Sequence, residues 1–559
     1  MRANKHLLLW TSLGTLLFLG WAAYTENVQN EWRQLQRAYR SALPPEQREA
    51  FRIELRQIVV PALHVSDRCV SCHVGMAPGE AGLRGHRTFA PHPDVVHDPS
   101  GFGCTVCHGG QGRATVKGDA HGTVPHWPEP QIPRRYAHAG CGSCHTHLEV
   151  PNLAILGHGR DLVERYDCLA CHSLDGRGGT LRPAGTGGMA GPDLSRVGAT
   201  AHDRGWYGKH LAQREAAQVG PWRDSFAPVP EPDLAAIVEF LDSRVGAPGL
   251  VEAKALFHSL GCRGCHSIGG VGGDDGPDLT RVGQRDPGQL DFSSVPGERS
   301  LAGWFAEHFR APAKVVPGSA MPALGLSDAQ IEQLTFHLLS LRRPEFPEAF
   351  WPRDRIRAVR FDEREFAVDG ATLYGTFCAA CHGPQGQGIR YAGMSVFPAI
   401  GNPDFLALAS DEFLRQTIHS GRPGRRMPAW GEKTGGLRPS EIETLVGFVR
   451  GLGGGAAPGP DPRPGRWAAG EPELGARLYA ANCASCHGER GQGNEGPALA
   501  NRVLLASATD TYLAETVRRG RRGTTMPAFS APSPVRGMLS EAEIESIVTH
   551  LRGWQESSR

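Results

Sequence analysis

The sequence predicts a mainly α-helical chain with three parts: an N-terminal transmembrane helix, a loop-rich segment, and a tandem series of small all-α domains. Three observations lead to this prediction. An apolar run opens the chain, the string Cys-x-x-Cys-His recurs along it, and an amphipathic helical pattern closes each of the later repeats. With 559 residues, 72 glycines and 43 prolines, the chain is long enough for several small domains connected by loops.

The first element is the apolar run HLLLWTSLGTLLFLGWAAY, which follows two basic residues and contains no charged side chain. A run of this length predicts a retained transmembrane anchor over residues 1–25, with Trp21 and Tyr24 near the membrane surface. A cleaved signal peptide is the alternative. In both cases the rest of the chain is expected outside the cytoplasm. Residues 26–60 have helical periodicity and are predicted to form a helical connector that rests on a partner or on the next segment.

Seven Cys-x-x-Cys-His motifs use all 14 cysteines, which leaves none for a disulfide or a nucleophile. Two thiols at i and i+3 lie on one face of a helical turn, where they can add to the two vinyl groups of one haem, and the next histidine then ligates its iron. The cysteines are Cys69, Cys72, Cys104, Cys107, Cys141, Cys144, Cys168, Cys171, Cys262, Cys265, Cys378, Cys381, Cys483 and Cys486. The proximal histidines are His73, His108, His145, His172, His266, His382 and His487.

Two other uses of paired cysteines fit this pattern less well. A structural zinc site needs two Cys-x-x-Cys knuckles on one metal and no histidine after each second cysteine. A thioredoxin-like redox site needs a single motif at the start of a helix. The motifs therefore predict seven covalently bound haem c groups.

The motifs resemble those of the c-type cytochromes, and the resemblance extends from about residue 61 to the end of the chain. It implies haem attachment outside the cytoplasm and single-electron transfer as the usual activity. Together with the anchor, it implies a single-pass protein of the bacterial cytoplasmic membrane with its haem domains on the periplasmic side. A formal net charge of +1 gives no indication of a nucleic-acid partner.

The spacing of the motifs divides the chain. The first motifs follow one another too closely for a separate domain around each haem, whereas the later ones are about 100 residues apart, the length of a small domain. The predicted units are a trihaem segment at 61–150 and cytochrome c-like domains at 151–246 (haem 4), 247–345 (haem 5), 365–453 (haem 6) and 468–559 (haem 7).

Each of these domains has a short helix before its motif and an amphipathic helix at its end, and three of them have a Met-Pro pair in between. The arrangement resembles class I cytochrome c, whose first and last helices cross and whose methionine loop returns over the haem. The resemblance implies Met321, Met427 and Met526 as sixth iron ligands, and a thioether raises the reduction potential. It also implies that a Gly-Pro segment supports the proximal histidine, but the haem 6 domain has FPAIGNP instead.

The haem 4 domain lacks this methionine. Aligning its WYGKHLAQ with WFAEHFRA of the next domain pairs His210 with His308 and puts Phe226 or Ala227 in the methionine position. Met189, upstream in the domain, is a rival ligand, but histidine is the better source.

Histidines are concentrated between residues 60 and 160. Those best placed as sixth ligands of haems 1 to 4 are His92, His97, His121 and His126, because turn residues beside them let a loop carry an imidazole across a haem face. Which histidine faces which iron is left open. The surrounding stretch resembles a trihaem segment of multihaem cytochromes associated with quinol-oxidising bc-type complexes.

These ligands suggest a direction of electron flow. Bis-histidine haems, which have lower potentials, would lie near the anchor and His/Met haems near the C-terminus. We therefore expect an electron-transfer protein that accepts electrons from a quinol-oxidising bc-type complex and passes them to a soluble cytochrome or a terminal oxidase. The alternative is an enzyme, a multihaem reductase or peroxidase with an open coordination position at haem 4.

Two features of the last domains complete the expectations. Arginines beside Met427 and Met526 would either neutralise haem propionates or form a docking ring for an acidic partner. The Gly/Pro-rich linker at 453–467 predicts a tethered, mobile terminal domain.

Overall fold

The structure is a computed structural model in which helices predominate, so the prediction of a mainly α-helical chain is confirmed. It describes residues 2–556 apart from residues 94, 96, 126, 146–148, 180–190, 201, 203, 204, 211–228, 298, 343 and 456. The strands in the described part form three two-stranded antiparallel sheets.

The chain begins with the helix Arg2–Val28, which is long and apolar enough to cross a membrane. Its apolar side chains are exposed to the surroundings, with Phe18 at 79% and Leu8 at 67%. The next helix, Glu31–Ala42, is amphipathic and buries one face. On that face the Gln36 amide donates hydrogen bonds to the carbonyls of Glu54 and Ser71. Because Ser71 lies inside the first motif, the connector packs on the start of the trihaem segment.

The trihaem segment consists of short turns and loops around a small aromatic cluster. Its helices are Pro99–Phe102, Thr105–His108 and Lys117–Ala120, and its 3-10 helices are Pro61–Leu63, Cys69–Ser71, Val74–Met76 and Arg134–Ser143. The connector before it contains the helix Pro45–Ala50 and the strand Ile58–Val60, which pairs with the strand Val65–Asp67 of the trihaem segment. The buried Asp67 carboxylate connects the first two motifs, since it accepts hydrogen bonds from the backbone N–H groups of Cys104 and Thr105.

Longer helices frame the later motifs. They are Leu153–Arg165, Cys168–Cys171, Glu231–Asp242, Pro248–Ser259, Leu301–Arg310, Pro312–Val315, Asp328–Ser340, Arg353–Phe361, Gly370–Phe377, Ala379–His382, Pro403–Leu406, Asp411–Ser420, Pro439–Leu452, Pro472–Asn482, Ala484–His487, Arg502–Ser507, Asp510–Arg519 and Glu541–Glu556. The 3-10 helices are Val197–Thr200, Cys262–Gly264, Val282–Gln284, Pro287–Gln289 and Glu348–Phe350, and the paired strands are Ser173–Leu174 with Arg177–Gly178 and Ser267–Ile268 with Val271–Gly272.

In each later domain the helix before the motif packs against the final amphipathic helix. The pairs are Leu153–Arg165 with Glu231–Asp242, Pro248–Ser259 with Asp328–Ser340, Gly370–Phe377 with Pro439–Leu452, and Pro472–Asn482 with Glu541–Glu556. This is the helix pairing that the class I resemblance implies, and it places the motif at the end of the first helix of each pair.

The last two domains pack against each other. One continuous cluster of buried apolar residues runs through both, and Phe413 lies against Tyr512 with ring centroids 4.7 Å apart. Two asparagines make a reciprocal exchange, in which Asn402 donates to the Arg522 carbonyl and Asn501 donates to the Pro423 carbonyl. The expectation of a mobile terminal domain is therefore wrong, because the shared core fixes what the linker alone would leave free.

Candidate haem sites

The proximal histidines of the later domains share one hydrogen bond. In each, Nδ1 lies 2.8 or 2.9 Å from a proline carbonyl oxygen: His172 with Pro192, His266 with Pro277, His382 with Pro398 and His487 with Pro497. Because a carbonyl only accepts, Nδ1 carries the proton and Nε2 keeps its lone pair for a metal. In the haem 6 domain the carbonyl that supports the histidine comes from Pro398 of FPAIGNP, so this domain has the same hydrogen bond without a Gly-Pro pair.

The surroundings of the motifs suit an apolar cofactor. Burial raises the pKa of the Cys262 and Cys378 thiols to about 12, and burial lowers the pKa of the proximal His266 and His382. Apolar contacts around the sulfurs and a neutral imidazole are what a thioether-bound porphyrin and its iron require. Among the described residues, no group of three or more His, Cys, Asp or Glu side chains could chelate a bare metal ion. A pair of thiols followed by a neutral imidazole is the donor set that haem c attachment requires.

Consecutive motifs lie in direct contact at two places. The Cys69 side chain lies beside Cys104 of the second motif, and the Cys265 side chain lies beside Cys381 of the sixth motif. All of these cysteines are free of disulfides. Thiols that meet in this way would carry the edges of neighbouring haems, so these motif pairs would bring two cofactors together.

Three histidines of the trihaem segment face a proximal histidine. The ring centroids are 6.5 Å apart for His73 and His121, 6.1 Å for His108 and His92, and 6.0 Å for His145 and His97. With metal–nitrogen bonds of about 2.0 Å, two imidazoles on opposite sides of one iron have centroids roughly 6.4 Å apart. The three separations fit such a pair. The pairing does not follow the order of the chain, because His121 follows the second motif in the sequence but faces the proximal histidine of the first.

The fourth histidine selected from the sequence, His126, lies outside the described residues, as do Met189, Phe226 and Ala227. In the haem 4 domain, His210 is the residue that faces the proximal histidine, with ring centroids of His172 and His210 6.1 Å apart. The sequence signal for it was present in the alignment of His210 with His308, although His210 was not selected as a ligand.

The methionine loops share one backbone feature. A glycine with positive φ precedes each methionine by three residues, with φ 80° at Gly318, 77° at Gly424 and 74° at Gly523. In the last two domains, an arginine N–H closes the loop on the methionine carbonyl at 2.9 Å, from Arg422 to Met427 and from Arg521 to Met526. Met321, Met427 and Met526 are all half-buried.

One proximal histidine has an anionic partner. His145 Nδ1 lies 3.1 Å from an Asp354 carboxylate oxygen, although the two residues are 209 positions apart. Asp354 belongs to the helix Arg353–Phe361, which lies in the segment between the haem 5 and haem 6 domains. A carboxylate acceptor makes the imidazole a stronger electron donor than a carbonyl acceptor does.

The arginines beside the last two methionines mostly bind within the chain. Arg426 pairs with Asp275 of the haem 5 domain at 2.6 Å, and Arg522 pairs with Asp404 across the last two domains at 2.7 Å. Burial lowers the pKa of Arg422 to about 10. These contacts favour a role in joining domains over a ring kept free for docking.

Comparison with known proteins agrees with the site geometry. The family model of cytochrome c matches residues 250–342, and that of cytochrome c oxidase, cbb3-type, subunit III matches residues 366–449 and 470–551. Each matched range contains a Cys-x-x-Cys-His motif. The matched ranges are therefore cytochrome c domains, which imply covalently bound haem c and support the interpretation of the chain as a multihaem c-type cytochrome.

The relatives are oxidase subunits. The chain is 36% identical over 182 residues to the cbb3-type cytochrome c oxidase subunit FixP of Bradyrhizobium sp. (strain ORS 278), which is 30% of this chain and 57% of the relative. It is 31% identical over 205 residues to the subunit CcoP of Azospirillum sp. (strain B510), which is 33% of this chain and 62% of the relative. The chain thus spans less than two thirds of the length of these relatives.

A solved structure, a reducing HAO-like protein complex of Kuenenia stuttgartiensis, covers 33% of this chain and 94% of its own chain at 19% identity. Its TM-score is 0.23, which is too low to support an argument about fold or function.

Proposed function

We propose that the protein is a membrane-anchored heptahaem cytochrome that carries single electrons in a respiratory chain. The proximity of the cysteines of consecutive motifs is the observation that carries this proposal, because haems attached to them would lie close together. Each haem would supply one-electron redox chemistry at its iron. The polypeptide supplies attachment, axial ligands and close spacing.

The packing between the motifs supports a continuous series of sites. An added Cβ at Gly140, one residue before the third motif, would lie 1.8 Å from the Cys107 carbonyl of the second motif. One at Gly142, inside the third motif, would lie 2.1 Å from the Ser340 carbonyl of the haem 5 domain. Since glycines at both positions let backbones touch, the third motif is wedged between the second motif and the haem 5 domain.

The axial ligands of the proposal follow from the facing residues. His121, His92 and His97 would complete haems 1, 2 and 3, and Met321, Met427 and Met526 would complete haems 5, 6 and 7. Bis-histidine ligation lowers the potential and His/Met ligation raises it, so electrons would move from the anchored trihaem segment to the C-terminal domains.

The partners in the proposal come from both ends of the chain. The helix Arg2–Val28 would hold the trihaem segment at the outer face of the bacterial cytoplasmic membrane, where a quinol-oxidising bc-type complex could reduce it. The last two domains match subunits of cbb3-type oxidases, which supports a soluble cytochrome or a terminal oxidase as the acceptor.

Photochemical one-electron reduction of the purified full-length protein tests this proposal. A flash that reduces the bis-histidine haems should be followed by their reoxidation as the His/Met haems become reduced, which optical spectra distinguish. In a variant with Cys141→Ala and Cys144→Ala, which lacks haem 3, this internal transfer should slow, since the third site between the second motif and the haem 5 domain is missing.

A matched control removes haem 7 with Cys483→Ala and Cys486→Ala. That variant should keep the rate of transfer between the trihaem segment and haems 5 and 6, because haem 7 lies beyond them. Equal transfer rates in the wild type and in the variant without haem 3 would contradict a continuous series of carriers.

A further inference from the structure

We propose that His210 is the sixth ligand of haem 4, which makes this site a closed bis-histidine centre inside a domain of the His/Met type. The inference rests on the proposed haem at the fourth motif. It assigns a metal ligand to a domain that has no methionine in the usual loop position.

The distance between the two imidazoles is the first observation. The ring centroids of His172 and His210 are 6.1 Å apart, within the range of the three histidine pairs of the trihaem segment. His172 Nδ1 is occupied by the Pro192 carbonyl at 2.8 Å. Its free nitrogen is therefore Nε2, the atom through which an imidazole after a Cys-x-x-Cys motif binds iron.

A stack of aromatic rings holds the His210 ring in place. Trp206 lies parallel to it, with ring centroids 5.1 Å apart and an angle of 6° between the planes. His202 also stacks on Trp206, with ring centroids 3.8 Å apart and an angle of 7° between the planes. Trp206 and His210 are four residues apart, the spacing that puts two side chains on one face of a helix. The adjacent Tyr207 is buried in the domain core and anchors this turn.

The next domain contains a similar stack of a tryptophan on a histidine, beside a methionine loop. There Trp304 lies parallel to His308, with ring centroids 4.8 Å apart and an angle of 9°. The haem 5 domain also has Met321 in the Gly-x-x-Met-Pro loop, whereas the haem 4 domain keeps the Trp–His pair without the methionine. The histidine that is an accessory residue in one domain would thus be the iron ligand in the other.

This ligand closes the position that an enzymatic function at haem 4 would need. A reductase or peroxidase must leave one iron position to its substrate. With two imidazoles in place, haem 4 would be a low-spin, low-potential centre that exchanges electrons and binds no exogenous ligand.

Electron paramagnetic resonance and carbon monoxide titration of full-length His210→Ala test the assignment. The variant should lose one low-spin ferric signal, gain one high-spin signal and bind about one carbon monoxide per molecule after reduction, since the iron loses its sixth ligand. His202→Ala is the matched control, because it removes the other histidine ring that stacks on Trp206, and all its haems should remain low-spin. Low-spin signals and carbon monoxide binding like those of the wild type in His210→Ala would overturn the assignment.

A second variant covers the case in which His210→Ala does not fold. His210→Met should keep haem 4 low-spin, show the charge-transfer band of iron–thioether ligation and raise the potential of one haem. Unchanged spectra in this variant would also overturn the assignment. Mass mapping of the wild-type peptide that contains Cys168 and Cys171 distinguishes the two proposals. A bare peptide contradicts the proposed haem 4 itself, whereas a haem-bearing peptide with unchanged spin states in the variants contradicts only the role of His210.

Discussion

The hydrogen bond between His145 and Asp354 gives a quantitative prediction for haem 3. Replacing Asp354 by Asn removes the negative charge but keeps an amide oxygen that can accept from Nδ1 at the same place. The carboxylate stabilises the ferric iron more than the ferrous iron, because it makes the proximal imidazole a stronger electron donor. Asp354→Asn should therefore raise the potential of one bis-histidine haem.

The size of the shift follows from the strength of the bond. A hydrogen bond to a charged group contributes roughly 1.5–3 kcal/mol, and only the part that differs between the two oxidation states counts. The side chains of His145 and Asp354 are 32% and 18% exposed, so solvent screens part of the interaction. A difference of about 1–2 kcal/mol remains. At about 59 mV for each 1.4 kcal/mol in a one-electron couple, the potential should rise by roughly 40–85 mV.

A redox titration of the full-length protein, followed by optical and spin-resonance spectra, measures this shift. Glu348→Gln is the matched control, because it removes one negative charge from an exposed residue in the same interdomain segment. It should move no haem potential by more than about 10 mV, since salt screens an exposed charge. A shift in Asp354→Asn no larger than in Glu348→Gln, or a shift to lower potential, would refute the reasoning.

Three further predictions concern packing, and each is measured as a change in thermal unfolding of the full-length protein by circular dichroism. Gly140→Ala should lower the melting temperature, because its Cβ would lie 1.8 Å from the Cys107 carbonyl, whereas Gly157→Ala, which has no atom within 4 Å of its Cβ, should leave stability unchanged or raise it by up to about 1 kcal/mol. Phe413→Ala should cost roughly 3–5 kcal/mol, because it removes a buried ring from the core shared by the last two domains. Arg522→Ala should leave the melting temperature nearly unchanged, since that side chain is 85% exposed and solvent screens its ion pair.

Each packing prediction has its own contrary result. Equal melting temperatures for the two glycine variants would show that the second and third motifs are not pressed together. A Phe413→Ala protein whose last domain unfolds separately at the wild-type temperature would show that the two domains do not share one core. A large fall in the melting temperature of Arg522→Ala would show that the interface depends on this ion pair.

The sequence predicts the fold class because its signals are local. The apolar run and the amphipathic pattern that closes each later domain are properties of short stretches, and the structure forms helices at Arg2–Val28 and at each domain end. Helix periodicity depends on residues that are close in the sequence, so it can be recognised without knowledge of the tertiary structure.

The pairing of histidines could not be predicted, because it depends on contacts between distant segments. His121 follows the second motif but faces the proximal histidine of the first, and His97 precedes the second motif but faces the proximal histidine of the third. Asp354 reaches His145 from a segment 209 residues away that the sequence indicates only as a charged linker. No periodicity in either segment encodes such a contact.

The packing of the last two domains could not be predicted from the composition of the linker between them. The composition of a Gly/Pro-rich linker predicts how stiff the linker is, but it does not predict whether the domains on either side bind each other. The reciprocal hydrogen bonds of Asn402 and Asn501 and the stack of Phe413 on Tyr512 hold the domains together. Both asparagines look like ordinary helix caps in the sequence, so their second role appears only in the folded chain.

The central claim is that every Cys-x-x-Cys-His motif of this chain holds one haem. Intact-mass spectrometry of the denatured full-length protein, with its N-terminus determined by sequencing, measures this number directly. The account predicts a mass above that of the polypeptide by the mass of seven haem groups. A smaller covalent increment, or haem that is released on denaturation, would contradict it.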